Sequence, residues 1–210
     1  MVEIYVAPTV SALLAYLSAL PRDRKNIVFC EDRLTLEAER AVADAQGVSF
    51  GTSVTTFARF LRDEARGKAL SKQGSVLVVG NAARKLAPLL GYFGKNPAGC
   101  AARLYETIAQ LRAALVTPDM LDEAAAQADG ALAGKLKDIA LVYRGYLDFL
   151  AEGYYDESDA LALLPRRMRG GALEGAHVIF AGFSSFTRQA AEGIRAAIDS
   201  AASVSGVFIG

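Results

Sequence analysis

Two nearly continuous apolar runs near the end of the chain, His177-Val178-Ile179-Phe180-Ala181-Gly182-Phe183 and Val204 to Ile209, restrict its fold more than any other feature. A strand with one wet face alternates apolar and polar residues. A run without that alternation predicts a strand buried on both faces, as in a parallel sheet with helices above and below. Between the runs, Arg188 to Asp199 carries Ala191, Ile194 and Ile198 at spacings of three and four, which predicts a helix with that stripe on the sheet. In open parallel sheets ligands sit beyond the carboxyl ends of the strands. The segment expected there, Ala181 to Thr187, holds no carboxylate, histidine or lysine.

The opening of the chain has the same alternation of elements. Glu3 to Ala7 predicts a first strand, and Pro8-Thr9 opens a helix with Leu13, Leu14, Leu17 and Leu20 as its apolar positions. Asn26 to Cys30 predicts a second strand. Thr35 is expected to cap a second helix, with Glu37 and Glu39 in its first turn and Gly47 as its stop. Ser53-Val54-Thr55 predicts a third strand leading into a helix from Phe57 to Arg66. Short loops between such elements favour parallel order and right-handed crossovers. From Ser75 to about Met168 the pattern turns helical, with Asn96-Pro97 and Thr117-Pro118-Asp119 as boundaries and Gly99 to Leu115 and Leu132 to Glu152 as the longest helical stretches. Val76 to Val79 suits a strand or a helix. Leu136, Ile139, Tyr143, Tyr146, Leu147 and Leu150 repeat at helical spacing and read as a packing stripe.

At 210 residues, 52% hydrophobic and 22% charged, the chain is expected to be a soluble globular protein with a substantial core. Its formal net charge is zero, so a nucleic-acid role must rest on local basic patches or on a partner. Cys30 and Cys100 have no Cys or His at metal-ligand spacing and read as reduced, buried thiols of a cytoplasmic protein. Glu3 stands where a secretion signal would be basic, and no apolar run approaches the ~20 residues of a membrane helix. The apolar ending, Val207 to Gly210, is expected to continue into a longer protein.

The sequence offers several sites and supports none as catalytic or metal-binding. A phosphate-binding loop needs G-x-x-x-x-G-K-[ST] between strand and helix, whereas the first such turn reads Ala7-Pro8-Thr9-Val10-Ser11-Ala12. Gly130-Ala131-Leu132-Ala133-Gly134-Lys135 and Gly91-Tyr92-Phe93-Gly94-Lys95 are too short and follow no strand. Gly182-Phe183-Ser184-Ser185-Phe186 resembles a hydrolase nucleophile elbow but has Phe at its fifth position, and the single histidine, His177, precedes the serine and reads as structural. Asp156 reads as a helix cap with Glu157 and Asp159 in the first turn, in preference to a metal ligand. Arg166-Arg167-Met168-Arg169 is the most basic cluster, a solvated loop or a contact to a phosphate backbone.

Four stretches together carry a family resemblance. They are Phe29 to Glu39; Leu104 to Arg112 with Val116-Thr117-Pro118; Lys135 to Tyr146 with Tyr155-Asp156 and Asp159; and Ala181 to Thr187. In order and spacing the chain resembles the first helicase domain of superfamily 1 enzymes related to UvrD and RecB. More closely, it is similar to the N-terminal region of the AddB/RexB family, the B subunits of bacterial AddAB helicase–nucleases. The resemblance implies an α/β fold with a P-loop NTPase-like (RecA-like) parallel sheet: residues 1–70 begin domain 1A, 71–172 form a helical 1B-type insertion, and 173–210 return to 1A. In active relatives the last stretch is an acidic motif that holds magnesium, and Ala181 and Gly182 replace its acidic pair here. Pro8 and Thr9 stand where a phosphate-binding loop would lie. Without those charges phosphoryl transfer has nothing to stabilise it, so the resemblance implies a degenerate nucleotide site and no cofactor in this part. It further implies a place next to the A subunit and on the DNA path of a double-strand-break repair complex, with DNA bound only as part of that complex and no membrane. Arg166, Arg167, Arg169, Tyr154 and Tyr155 are the DNA-contact candidates, the tyrosines as exposed stacking surfaces. The rival reading is a nucleotide hydrolase with an unorthodox phosphate site around Pro8 to Ser11.

Overall fold

The computed structural model describes residues 1–47, 51–62, 67–97 and 99–210. They divide into two compact units, residues 1–64 with 161–210, and residues 65–160. The chain begins with β1 (Val2–Ala7), α1 (Val10–Ser18), β2 (Asn26–Cys30), α2 (Asp32–Gln46), β3 (Thr52–Thr55) and the short α3 (Phe57–Phe60). Next come β4 (Lys68–Ala69), α4 (Lys72–Lys85), α5 (Ala101–Ala113), α6 (Pro118–Gln127), α7 (Gly130–Ala151) and β5 (Tyr154–Tyr155). It closes with α8 (Glu157–Ala162), α9 (Leu164–Arg167), β6 (His177–Ala181), α10 (Arg188–Ser200) and β7 (Ser203–Ile209).

The first unit is built on a five-stranded, wholly parallel sheet in the order β1-β7-β6-β2-β3. β2 and β6 are neighbours in the middle and are buried at every position, which is why they read as unbroken apolar runs. Successive side chains along them go to opposite faces. Val28, Cys30, Ile179 and Ala181 meet Leu13 and Leu17 of α1 and Leu34, Ala38 and Val42 of α2. Ile27, Phe29, Val178 and Phe180 meet Leu164, Met168, Ala196 and Ala197 of the α9 and α10 layer. Each large side chain so buried contributes about 1.5–3 kcal/mol, and a shift of register by one residue would exchange the two cores. Parallel pairing of Val28 with Ile179 and Phe29 with Phe180 fixes that register, and the two phenylalanine rings stack 5.5 Å apart.

Several local expectations need correction. Helix α2 starts at Asp32 after Glu31, so Thr35 lies inside the helix, where its hydroxyl donates to the Glu31 carbonyl at 3.2 Å. Gly47 does end the helix, with φ +67°. Helix α3 stops at Phe60, and residues 63–66 of its expected span lie outside the described residues. Val76 to Val79 is helical, within α4. Arg166 to Arg169 is no loop: Arg166 and Arg167 end α9, and Met168 and Arg169 begin a wide turn over Met168–Ala172. Residues 161–172, assigned from sequence to the helical insertion, belong to the first unit. Helix α10 buries Ala190, Gly193, Ala196 and Ala197, while Ala191 and Ile198 are exposed and Ile194 is half-buried. Small residues win that face because α9 lies close. A Cβ at Gly193 would come 2.3 Å from Leu164 Cδ2 and 3.3 Å from its Cβ.

The second unit is helical apart from the two-residue pairing of β4 with β5. Its core joins Val79 and Ala83 of α4, Leu104 and Ile108 of α5, Leu121 of α6, and Ile139, Tyr143, Tyr146 and Leu150 of α7. The stripe on α7 is thus packing, with Leu136 and Leu147 at its margin.

The close approach of α9 to α10 is directly testable. Gly193→Ala gains helix propensity of about 1 kcal/mol but overpacks a fully buried leucine, for a net loss of about 1–2 kcal/mol in denaturant unfolding. Combined with Leu164→Ala it should cost clearly less than the sum of the two single changes, and simple additivity would refute the contact.

Candidate functional site

The carboxyl end of the sheet is where a parallel α/β unit would bind a ligand. β1 ends at Ala7 and β6 at Ala181, with β7 between them: Ala7 pairs with Ile209, and Ala181 with Val207. The two turns that follow therefore leave the sheet about 10 Å apart, two strand spacings. After β1, Pro8 has no amide proton, and Thr9 caps α1 by accepting from the Ala12 amide at 3.1 Å. After β6, the Gly182 amide donates to the Val207 carbonyl at 2.9 Å with φ +75°.

Leucine fills the space at Gly182. A Cβ there would stand 2.6 Å from Leu34 Cδ2 and 3.6 Å from Leu13 Cδ1. Leu13 is fully buried and Leu34 nearly so, in a cluster with Ala7, Cys30 and Ala181. Burial raises the Cys30 thiol pKa, which keeps it protonated, and its sulfur lies 3.7 Å from Thr35 Oγ1. A carboxylate at position 181 or 182 would enter apolar surroundings at a cost of several kcal/mol. Among the described residues no group of three His, Cys, Asp or Glu is placed to hold a metal ion. Both cysteines are free, Cys30 buried and Cys100 only half-buried, not buried as expected.

The stretch after β6 serves aromatic packing. Phe183 stacks on Phe57 at 5.5 Å and meets Phe186 at 4.8 Å, while Phe186 approaches Phe180 and Phe208 edge-on at 6.3 and 6.2 Å. Phe57, Phe183, Phe186 and Phe208 remain half-buried at this end of the sheet. Ser184 and Ser185 are exposed. His177 begins β6 and so lies at the opposite end, about 13 Å along the strand from Ala181. It is 4% exposed, with Nε2 2.9 Å from Ser205 Oγ. Burial lowers its pKa, and the Arg24 charge adds to the effect. The histidine cannot serve either serine as a base.

The DNA-contact candidates divide between the units. Arg166 and Arg169 are exposed in the first, and the Arg167 guanidinium lies 5.4 Å over the Phe60 ring. In the second, Tyr154 and Tyr155 are half-buried, not exposed, because β5 pairs with β4 and Tyr154 stacks on Phe149 at 4.6 Å beneath Lys68. Beside them a buried polar network ties together residues far apart in sequence. Asp156 caps α8 as expected, accepting from the Asp159 amide at 3.0 Å, and Asp159 returns the bond by accepting from the Asp156 amide at 3.1 Å. Arg112 Nη1 reaches Asp156 at 2.6 Å, and its other terminal nitrogen bonds Asp159. The Tyr146 hydroxyl, 2.8 Å from Asp156 and 3.0 Å from Ser75 Oγ, donates a hydrogen bond to the carboxylate and accepts one from the serine. Burial raises the Tyr146 pKa and the Asp156 charge holds it up, so the phenol stays neutral. The sequence signal for Asp156 was its cap; nothing local marked Arg112 as its partner.

Two outcomes follow from this geometry. Gly182→Ala combines left-handed backbone strain with the Leu34 contact and should destabilise by about 2 kcal/mol, whereas Ser184→Ala, on an exposed turn, should change stability by less than about 0.5 kcal/mol. Because the folded His177 pKa lies below its unfolded value, the unfolded chain binds the extra proton first. Its contribution is complete above about pH 6.5 and is lost as pH falls through that value toward the folded pKa. Urea midpoints from pH 7.5 to 5.5 should fall less steeply for His177→Gln than for the parent chain, and parallel slopes would refute the assignment.

Comparison with known proteins points to one family. Residues 13–208 match the family model described as ADDB, N-terminal. A protein of Moorella thermoacetica is 37% identical over 130 residues, covering 59% of this chain and 11% of its own length. One from Desulforudis audaxviator is 31% identical over 189 residues, 82% of this chain and 16% of its own, and one from Listeria innocua is 25% identical over 174, 78% and 15%. All three are named as the B subunit of an ATP-dependent helicase/deoxyribonuclease. The matched region spans 11% to 16% of the length of these relatives. With nearly its full length accounted for, this chain belongs to the family of AddB N-terminal regions.

Proposed function

We propose that this chain is a helicase-like domain without nucleotide turnover, working within the B subunit of an AddAB-type helicase–nuclease. In that setting it contributes to the DNA path and to the surface against the A subunit during double-strand-break repair by homologous recombination. The wholly parallel sheet, left after β3 for a helical unit and rejoined at β6, supports a RecA-like domain with a 1B-type insertion. The observation that carries the reading is the packing at Gly182, where Leu34 and Leu13 occupy the place that the acidic pair of an active relative would need. Phosphoryl transfer depends on positioned charge, and this end of the sheet offers alanine, leucine and phenylalanine. DNA and the A subunit are the partners in this reading. No helix among the described residues is long and apolar enough to cross a membrane.

The test needs no partner. A ligand at a hundredfold excess over its dissociation constant adds about 2.7 kcal/mol, a rise of roughly 5–10 °C for a chain of this size. Millimolar Mg-ATP should leave the thermal midpoint unchanged. A rise of several degrees that is abolished by changing Thr9 would overturn the reading and restore the turn from Pro8 to Ser11 as a nucleotide site.

A further inference from the structure

Two glycine–lysine stretches that fail as phosphate loops bring their lysines to one place. In the helical unit a cavity of about 430 Å³ is lined by Tyr92, Phe93, Lys95, Arg103, Thr107 and Lys135, among others. Lys95 ends one of those stretches and Lys135 the other. No carboxylate lines the cavity, and Lys95, Arg103 and Lys135 have no ion-pair partner among the described residues. Three uncompensated cations around one hollow stand out in a chain whose net charge is zero. Tyr92 is 51% exposed at the rim, its ring edge-on to Phe93 at 4.8 Å.

The loop that carries this aromatic pair is held in place by an internal anion. Asp138, 4% exposed on α7, accepts from the amides of Gly91, Tyr92 and Phe93 at 3.1, 2.7 and 2.9 Å. Three consecutive amides around one carboxylate form the cradle that a mononucleotide site uses for its phosphate. Here the cradle is already filled. A bound phosphate would have to be held by side-chain cations alone, beside an exposed ring that offers a stacking face. That combination of a cationic hollow and an aromatic platform is how sequence-tolerant single-strand grooves hold nucleic acid.

We infer that this cavity is a contact site for single-stranded DNA, with Lys95, Arg103 and Lys135 on the phosphates and Tyr92 stacking a base. The inference stands on the chemistry of the cavity and involves none of the residues at the carboxyl end of the sheet. It is tested by fluorescence anisotropy of a labelled oligothymidylate with the 210-residue chain, at about 50 and about 200 mM salt. Each of Lys95→Ala, Arg103→Ala and Lys135→Ala should weaken binding several-fold and reduce the salt slope by about 0.7, the value for one single-strand phosphate contact. Tyr92→Ala should weaken binding by about 5- to 100-fold. Arg195→Ala, on the exposed face of α10, should change neither. All these side chains are exposed, and an unchanged thermal midpoint confirms that each variant is folded.

Absence of oligonucleotide binding at low salt, or cavity variants that behave like Arg195→Ala, would overturn the site. Displacement of the oligonucleotide by polyglutamate at equal charge concentration would reassign the cavity to an acidic peptide. Mg-ATP stabilisation that vanishes with the cavity variants would make it a mononucleotide pocket. Stabilisation that survives those variants would instead belong to the sheet, overturning the proposed function and leaving this inference intact.

Discussion

The two-sided burial of β2 and β6 is the constraint on which the first unit depends. Each strand passes alternate residues to two different helix layers, so neither core closes unless the pair is in register. Parallel strands cannot be joined by a tight turn, and their crossovers place α1 and α2 on one face and α10 on the other. The ends of those crossovers meet at the carboxyl edge of the sheet, where open parallel α/β sheets bind their ligands.

What stands at that edge is governed by packing. Leu13 and Leu34 close on Gly182 from the two helices of one face, and phenylalanines 57, 183, 186 and 208 gather on the other side. Apolar burial of this kind stabilises the fold by kilocalories per side chain, and the same groups would penalise the carboxylate and magnesium that phosphoryl transfer requires. At Gly182 the volume has gone to leucine.

The helical unit solves the opposite problem, since it buries charge and keeps it paired. Arg112, Asp156, Asp159, Tyr146 and Ser75 satisfy one another across the start of α8, and Asp138 is consumed by the amides of residues 91 to 93. Removing one member of a buried pair costs about 3–5 kcal/mol, so these groups fix loop positions and are not free for chemistry. The cations of the neighbouring hollow remain uncompensated and open to an external anion.

The sequence by itself determined the α/β class, the span of β2, the tyrosine stripe of α7, the Asp156 cap and the lack of charge at the end of β6. All are local: a five-residue apolar run, a spacing of three and four, or a missing side chain can be read without knowing what lies opposite. Tertiary structure alone decided that α10 presents Gly193 and small alanines in place of Ala191 and Ile198, because Leu164 limits how much volume that face can hold. It decided likewise that Thr35 sits inside α2, that Tyr154 is covered by Phe149, that Arg112 pairs with Asp156, and that Lys95 and Lys135 share one cavity. The meetings of Gly193 with Leu164, Arg112 with Asp156 and Lys95 with Lys135 join residues dozens of positions apart, brought together by core packing whose energy belongs to no single stretch of sequence.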